Sequence, residues 1–384
     1  MNRIVIVGGG LSGARACESL RAHGFVGEIV LLAAEDHLPY DRPPLTKGAL
    51  KADVDTQLRT DYEALKVDVR IGSPALGLDA KAKKVRTAAG PVDYDALIIA
   101  TGSVPIMLPG SARQLAVRTV EDARALREHL RADAKVVLVG ASWIGAEVAT
   151  AALAAGAQVT CIEFGPAPLS NALGEEIGKR FVEWWTSVDL RLGVGVHEVT
   201  DSGVTLDNGE EIAADVVVAG VGVRPDTDWL SGSGLEIDRG IVVDEYLRTS
   251  DPHVYAVGDV AVRWSPRSKK KLHVEHWDEA RTGPDAIART LLGDSMIHDP
   301  IPYFWSDQFG HKIQYVGHHE ASDTVVVRSG PDSKWAVAWI DDNGTLTAHL
   351  SIDSPRLMIA ARAAIAAGAR PDPGSLRDID RSLT

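Results

Sequence analysis

Two stretches of this chain repeat one pattern, in which an apolar strand runs into a glycine-rich turn and then into a helix. The first is RIVIVGGGLSGARA, with Gly8, Gly10 and Gly13, and the second is KVVLVGASWIGAEVA, with Gly140, Ser142 and Gly145. In such a unit the first glycine permits a tight turn, and the N-terminus of the helix faces a pyrophosphate. The sequence therefore predicts two βαβ units that each bind a dinucleotide.

An acidic residue ends the next apolar strand after each glycine turn. Glu35 lies 27 residues beyond Gly8, and Glu163 lies 23 residues beyond Gly140. A carboxylate at this place accepts hydrogen bonds from the two hydroxyl groups of a ribose. One motif alone could be a tight turn in an ordinary βαβ unit, but two complete units favour dinucleotide binding. A chain that holds two dinucleotides is suited to pass electrons between them.

Composition argues against several other classes of protein. The 384 residues carry a net charge of −13, which disfavours nucleic acid or an anionic membrane as the main partner. No apolar run reaches the roughly 18 residues of a membrane span, and the chain enters its first strand without a leader pattern. We therefore expect a cytoplasmic protein, and we predict no metal site.

The two cysteines bear on the kind of redox chemistry. Cys17 falls in the helix after the first glycine turn, Cys161 falls in the strand before Glu163, and the chain contains no CxxC pair. Flavoenzymes that reduce disulfides relay electrons through such a pair, so this class is excluded. We predict that both cysteines are buried and act as small apolar residues.

The order of the patterns predicts one domain inserted into another. After the second βαβ unit and its closing strand ADVVVAGVG, strand patterns return with GIVVDEYLRTS and VYAVGDVA, and HWDEARTGPDAIARTLLG is helical. From about Pro300 the strands KIQYVGHH, TVVVRS and KWAVAWI precede a final helix, PRLMIAARAAIAAG. We predict an α/β fold with two Rossmann-like domains and a C-terminal α+β domain. The first domain comprises residues 1–112 and 244–299, the inserted domain 113–243 and the C-terminal domain 300–384.

Seven segments in order carry a resemblance to a known family: GGGLSG, LPYDRPPLTK, LIIATG, GASWIGAEVA, VYAVGDVA, EHW and WSDQFG. With these segments the chain resembles the FAD-dependent, NADH-dependent ferredoxin reductases of bacterial oxygenase systems, whose glutathione-reductase-like fold apoptosis-inducing factor shares. The resemblance implies hydride transfer from NADH to FAD and single-electron transfer to a [2Fe-2S] ferredoxin that feeds a monooxygenase or dioxygenase. Alternatives on the same scaffold are a rubredoxin reductase, a monodehydroascorbate reductase, a general NADH:acceptor reductase, or a flavin-dependent NADH sensor.

The resemblance also implies which residues bind FAD: Gly8, Gly10, Leu11, Ser12, Gly13, Glu35, Arg42, Lys47, Ala100, Thr101, Gly102, Gly258, Asp259, Trp277 and Trp305. Asp259 would accept hydrogen bonds from the ribityl chain, although a helix cap is the alternative. Trp277 and Trp305 would line the isoalloxazine. His273 and His276 would flank that site without acid–base roles. Four other tryptophans are predicted to pack in the interior: Trp184, Trp185, Trp335 and Trp339.

Lys47 and Glu147 are the predicted catalytic residues. In the resembled family the lysine of LPYDRPPLTK is the group closest to the flavin N5 atom, where a cation stabilises the reduced flavin. A solvated, proline-shaped loop is the alternative for this segment. Glu147 is the expected partner of Lys47 across the junction of two domains, since a buried lysine without a carboxylate tends to lose its proton. Alternatively, Glu147 is a first-turn acid that complements the helix dipole.

For NADH the resemblance implies Gly140, Ser142, Trp143, Ile144, Gly145, Glu163, Gly220, Val221 and Gly222. Ser142 departs from the glycine pattern, but it is small and its hydroxyl could bond a phosphate. Gly220 and Gly222 would let the nicotinamide approach closely, or they form a bare turn. Glu163 repels a 2′-phosphate, and no Arg or Lys follows it, so we expect NADH to be preferred over NADPH.

A basic segment breaks the acidic character of the chain. Between Asp259 and Glu275 there is no acid, and there are five cations: Arg263, Arg267, Lys269, Lys270 and Lys271. The resemblance places this predicted loop near the flavin edge, where it could steer an acidic ferredoxin. A solvated charged loop without a partner is the alternative.

Overall fold

The computed structural model describes residues 1–111, 113–331 and 334–384. Ala112, the last residue of the first predicted domain segment, lies outside the described residues. The chain folds into two compact units. The first unit contains 1–41, 56–104 and 224–302, and the second contains 42–55, 105–223 and 303–384.

A five-stranded parallel sheet forms the centre of the first unit. Its spatial order is Val254–Ala256, Ala96–Ile99, Arg3–Val7, Glu28–Leu32 and Val67–Arg70. The three inner strands are β-branched and apolar, and their residues are almost entirely buried, as expected for strands covered on both faces. Helix Leu11–Ala22, which follows the first glycine turn, packs against helix Trp277–Leu291.

Two three-stranded sheets complete the first unit, the first antiparallel and the second mixed, since Ile241–Val243 pairs in parallel with Ala261–Ser265. One is built from Gly77–Asp79, Lys84–Thr87 and Gly90–Asp93. The other contains Ile241–Val243 and the hairpin Ala261–Ser265 with Lys270–His273. The basic segment predicted as a loop is therefore this hairpin, in which Trp264 is paired with Lys271.

The second unit repeats the arrangement of the first around the second glycine turn. Its parallel sheet has the order Asp189–Leu192, Gln158–Glu163, Lys135–Val139 and Val216–Ala219. In both units the strand before the glycine turn lies between the strand that leads to the acid and a strand from later in the chain, Ala96–Ile99 in the first unit and Val216–Ala219 in the second. Helix Trp143–Ala154 follows the second turn.

A five-stranded antiparallel sheet occupies the C-terminal part of the second unit. Its order is Tyr303–Gln308, His311–Gly317, Leu346–Ile352, Trp335–Ile340 and Thr324–Ser329. Helix Pro355–Ala366 packs on this sheet, and a short helix, Pro373–Leu376, follows it. Trp339 and Trp185 are buried, and Trp184 and Trp335 pack against the apolar cluster that contains Trp339, as predicted for interior tryptophans.

The remaining helices and strands are short. In the second unit they are helices Val120–His129, Ser170–Leu173 and Glu175–Phe181 and strands Val196–Thr200, Gly203–Leu206 and Glu211–Ala213. Strands Ser103–Pro105 and Val223–Pro225 lie at the chain positions where the division between units falls. Single 3-10 turns form at Pro43–Thr46, Gly48–Leu50, Val182–Trp185, Asp228–Leu230 and Gly258–Val260. Among the described residues, no helix has the length and apolar character needed to cross a membrane.

Candidate functional site

The first glycine turn brings the start of a helix very close to the strand before it. A Cβ added to Gly13 would lie 2.0 Å from the carbonyl oxygen of Gly8, so no side chain fits there. A Cβ added to Gly10 would meet nothing within 4 Å. The space beside Gly10 is thus open at the helix N-terminus, where backbone amides attract an anion. These features fit the pyrophosphate of a dinucleotide.

The second glycine turn has the same geometry with a serine in the middle position. A Cβ added to Gly145 would lie 2.1 Å from the carbonyl oxygen of Gly140. Ser142 is extended (φ −84°, ψ −179°), much like Gly10 (φ −96°, ψ −165°), so the backbone does not require glycine there. The Ser142 hydroxyl oxygen accepts a hydrogen bond from the Gly145 amide at 3.2 Å and caps the helix. Its hydroxyl hydrogen remains able to donate to a phosphate.

The acid of the second unit is held by backbone donors. One carboxylate oxygen of Glu163 accepts from the Ala141 amide at 2.7 Å, and the other accepts from the Gly165 amide at 2.6 Å. The carboxylate is therefore fixed next to the glycine turn, where a ribose bound through its hydroxyls would lie. In the first unit, the Tyr40 hydroxyl donates to Glu35.

The strand end predicted to hold the nicotinamide half, at residues 220–222, lies beside the same turn. A Cβ added to Gly140 would approach the carbonyl oxygen of Gly220 to 2.5 Å. The carbonyl oxygen of Gly222 accepts from the Ile106 amide at 3.0 Å, and Val221 is 38% exposed. The strand end and the glycine turn are thus adjacent, as the predicted site requires.

Lys47 and Glu147 form an ion pair inside the second unit. The Lys47 Nζ lies 2.9 Å from Glu147 Oε2, and the side chain of Glu147 is only 5% exposed. The Thr46 hydroxyl donates to the same carboxylate, and the Ser306 hydroxyl donates to it at 2.6 Å. The predicted pairing is thus present, and the segment of Lys47 belongs to the same compact unit as Glu147. Neither hydroxyl donor was predicted from the sequence, although Thr46 adjoins Lys47 and Ser306 adjoins Trp305.

A cleft of about 340 Å³ opens beside this ion pair. Lys47 and Glu147 form one part of its wall, and polar side chains of the C-terminal sheet region, including His311, Lys312 and Asp353, form another. The ion pair therefore lies at the edge of a water-accessible space in this unit.

Asp259 and Trp277, two predicted flavin residues of the first unit, form hydrogen bonds with residues outside the predicted set. The Ser103 hydroxyl donates to Asp259 at 3.0 Å, and His273 Nε2 lies 2.7 Å from the Asp259 carbonyl oxygen. Asp259 is not the N-cap of its 3-10 turn, a position that Val257 occupies. The indole of Trp277 donates to Asp41 at 2.7 Å, which ties EHW to the LPYDRPP segment.

The predicted FAD residues are distributed over both units. Arg42, Lys47 and Trp305 belong to the second unit, and the others belong to the first. Arg42 donates to the Arg118 carbonyl oxygen at 2.5 Å. Trp305 stacks with Tyr303, with 6.2 Å between ring centroids. Their roles toward flavin stay predictions.

The prediction that Arg263 belongs to a docking surface is wrong. Its side chain is 2% exposed and forms ion pairs with Glu279 at 2.8 Å and Asp299 at 3.0 Å. Because a buried cation needs such compensation, Arg263 faces the interior of its unit. Arg267, Lys269 and Lys271 are exposed and Lys270 is partly buried, and the Lys271 ammonium lies 3.2 Å from Glu236.

Both cysteines are buried and free, as predicted. Burial raises the pKa of Cys17 to about 12 and also raises the pKa of Cys161. Neither thiol is therefore a nucleophilic thiolate near neutral pH.

The family models match almost the whole chain. The pyridine nucleotide-disulphide oxidoreductase model matches residues 2–283, and the reductase C-terminal model matches residues 303–384. Rhodocoxin reductase of Rhodococcus erythropolis is 35% identical, with 99% of this chain and 93% of that protein covered. The anthranilate 1,2-dioxygenase system ferredoxin–NAD(+) reductase component of Burkholderia cepacia is 36% identical, with 97% and 96% covered. The crystal structure of Fdr9 is 61% identical, covers 100% of both chains and has a TM-score of 0.98.

These similarities confirm the predicted resemblance, fold class, enzyme class and cofactors. The chain belongs to the pyridine nucleotide-disulphide oxidoreductase family, among the FAD- and NADH-dependent ferredoxin–NAD(+) reductases of oxygenase systems.

Proposed function

We propose that this protein oxidises NADH by hydride transfer to FAD and passes electrons singly to a [2Fe-2S] ferredoxin that feeds a monooxygenase or dioxygenase. The observation that carries this function is the pair of glycine turns, each followed by an acid, in a chain without a CxxC pair. When bound, FAD accepts two electrons together and releases them one at a time. A relative that is the ferredoxin–NAD(+) reductase component of a dioxygenase system supports this partner class.

We assign FAD to the first glycine turn. The open space at Gly10 and the helix N-terminus suit its pyrophosphate, and Glu35 suits its ribose. Asp259 would hold the ribityl hydroxyls. The full proposed set is Gly8, Gly10, Leu11, Ser12, Gly13, Glu35, Arg42, Lys47, Ala100, Thr101, Gly102, Gly258, Asp259, Trp277 and Trp305.

We assign NADH to the second turn. The anchored carboxylate of Glu163 would bind the ribose hydroxyls and repel a 2′-phosphate. Ser142 would support the pyrophosphate. The full proposed set is Gly140, Ser142, Trp143, Ile144, Gly145, Glu163, Gly220, Val221 and Gly222.

Lys47 would supply positive charge beside the flavin ring. Glu147 compensates this ammonium at 2.9 Å and is itself held by the hydroxyls of Thr46 and Ser306. The Asp307 amide also donates to this carboxylate, at 3.4 Å. Four donors on one buried carboxylate keep the lysine in a fixed position. A positioned cation stabilises negative charge that develops during hydride transfer.

We retain the basic hairpin as the docking surface, without Arg263. The basic edge, defined as Arg267, Lys269, Lys270 and Lys271, lies on the turn and outgoing strand of the hairpin. An acidic ferredoxin would be steered toward such an edge.

We also propose the domain division 1–112 with 244–299, 113–243 and 300–384, and a cytoplasmic location. One family model ends at residue 283 and the other begins at residue 303, which supports a separate C-terminal domain. Two free, buried thiols and the use of NADH are compatible with a reducing compartment.

The direct test is cytochrome c reduction by the FAD-loaded protein with NADH, adding ferredoxins and rubredoxins one at a time. We expect turnover to require a [2Fe-2S] ferredoxin. We also expect kcat/KM for NADH to exceed that for NADPH by at least about 100-fold, because like charges at Glu163 cost several kcal/mol. Turnover with rubredoxin alone, or equal use of NADPH, would contradict the proposal.

A further inference from the structure

Phe164 is a large apolar side chain left in solvent next to a binding residue. It directly follows Glu163, and 81% of its surface is exposed. Phenylalanine is a residue that proteins usually bury. At the equivalent place after the first turn, Asp36 follows Glu35, so the aromatic side chain belongs to the second turn alone.

The backbone around Phe164 is held firmly. The Gly165 amide donates to Glu163 at 2.6 Å, the Val194 amide donates to the Glu163 carbonyl oxygen at 3.3 Å, and the Gly193 amide donates to the Gly165 carbonyl oxygen at 3.1 Å. These bonds join the loop after strand Gln158–Glu163 to the loop after the neighbouring strand Asp189–Leu192. The exposed ring is therefore carried on an ordered turn.

The ring lies over the carboxyl ends of these two strands. A Cβ added to Gly195 would lie 3.5 Å from Cδ2 of Phe164, which places the ring beside that glycine. The carboxylate of Asp207 lies closer to Gly195, with Oδ2 2.2 Å from the same added Cβ. The exposed ring of Phe164 is thus the apolar surface at this edge of the sheet, which the carboxylates of Glu163 and Asp207 also border.

A dinucleotide extends across these strand ends in a fixed order. Its pyrophosphate lies at the glycine turn after Lys135–Val139, and its adenosine ribose lies at the acid that ends the next strand. The adenine must then lie beyond the ribose, toward the ends of Gln158–Glu163 and Asp189–Leu192. Phe164, Gly195 and Asp207 lie there, and Phe164 is the one of the three with an aromatic face.

We propose that Phe164 is the platform on which the adenine of NADH stacks, and that it contributes to the affinity for NADH. This inference rests on the assignment of NADH to the second glycine turn. An aromatic face binds any base through its π-surface, so Phe164 strengthens binding, while Glu163 selects against the 2′-phosphate.

The test compares Phe164→Ala and Phe164→Tyr with the unaltered holoenzyme, using NADH and reduced nicotinamide mononucleotide, which lacks the adenylate half. For Phe164→Ala we expect KM for NADH to rise about five- to tenfold with kcat unchanged, the lower range for base stacking. The kcat/KM for reduced nicotinamide mononucleotide should not change. In Phe164→Ala the inhibition constant of AMP, measured in competition with NADH, should rise by the same factor as KM. Phe164→Tyr keeps an aromatic ring, so its KM for NADH and its inhibition constant for AMP should equal those of the unaltered holoenzyme.

Glu163→Ala separates this inference from the assignment on which it rests. If Glu163→Ala raises KM for NADH but Phe164→Ala does not, the platform is refuted and the NADH site stands. If neither change alters KM, the assignment and the platform both fail. An equal loss with NADH and with reduced nicotinamide mononucleotide for Phe164→Ala would also overturn the platform, because it would show a general disturbance of the unit.

Discussion

At the scale of single residues, Glu147 combines near-complete burial with contacts from Lys47, Thr46 and Ser306. The Lys47–Glu147 pair was predicted from the resembled family. The alternative, that Glu147 is a first-turn acid at a helix start, is wrong, because helix Trp143–Ala154 has no acid in its first turn. The sequence could not predict the hydroxyl donors, since a single Thr or Ser carries no periodic signal. It also misjudged Arg263, whose charge was counted as exposed although acids far along the chain neutralise it in the interior.

Removing the Lys47 charge should slow the reduction of flavin. In Lys47→Met the positioned cation is lost, and we expect the rate constant of flavin reduction by NADH to fall by about 100-fold, as for other preorganised electrostatic groups. Stopped-flow absorbance of the flavin measures this rate constant. Lys51→Met is the matched control, because Lys51 lines the same cleft and is exposed. Similar slowing in both variants would show that Lys47 has no special position.

At the scale of elements, the strand–turn–helix units were predictable because apolar strands, glycines and acids recur at fixed spacings. Strands Tyr303–Gln308 and Leu346–Ile352 were missed. The first carries Ser306 and Gln308 and the second carries His349 and Ser351, all buried polar residues that conceal the usual alternation. The hairpin was missed because its outgoing strand begins with lysines.

The close approach at the second turn makes Gly145 intolerant of a side chain. In Gly145→Ala the new Cβ would lie 2.1 Å from the Gly140 carbonyl oxygen, so the helix must shift. We expect the free energy of unfolding to fall by about 1–3 kcal/mol, together with a loss of NAD+ affinity. Urea unfolding and titration with NAD+ measure both.

Ser142→Gly is the control at the same turn. It is a control for stability, because it keeps the backbone conformation and removes the helix cap at a cost of only a few tenths of a kcal/mol. If Gly145→Ala were as stable as Ser142→Gly, the turn would not have the described geometry.

His349 makes the stability of the C-terminal sheet depend on pH. Burial, and then the charge of Arg328, lower the pKa of His349 from 6.5 to about 3. Between these pH values the unfolded chain binds a proton that the folded chain does not. The free energy of unfolding should therefore fall as pH drops below 6.5, by about 2 kcal/mol at pH 5.

Chemical unfolding at several pH values tests this dependence. His349→Gln should flatten the decline between pH 6.5 and pH 5, whatever its effect on absolute stability. His197→Gln removes an exposed histidine of the same unit and should leave the slope unchanged. An unchanged slope in His349→Gln would show that other groups cause the decline.

At the scale of the whole molecule, an acidic protein with a net charge of −13 carries the basic edge at one hairpin. The repetition of the glycine units at the scale of domains is visible in the sequence, and it predicts the two dinucleotide-binding domains that the family shares. The placement of charges in three dimensions was not visible, because strand pairing decides which lysines are exposed.

Reversing Lys269, Lys270 and Lys271 to Glu should slow ferredoxin reduction about tenfold at low ionic strength and leave NADH-to-ferricyanide turnover unchanged. The difference in ferredoxin reduction rate between the triple variant and the unaltered protein should decrease as salt is added, because salt screens the interactions of exposed charges. Reversing Lys81, Lys83 and Lys84 makes the same change of net charge on another hairpin of the first unit. Equal slowing by both triple variants would exclude a docking role for the basic edge.

The central claim is a directed electron path from NADH through flavin to a one-electron protein acceptor. Anaerobic double-mixing stopped flow follows both halves in one experiment: NADH is mixed with the holoenzyme, and an oxidised [2Fe-2S] ferredoxin is then added. We predict rapid bleaching of the flavin absorbance, followed by reoxidation at least as fast as steady-state turnover. Slow bleaching, or a reduced flavin that persists in the presence of ferredoxin, would contradict the claim and favour an NADH sensor.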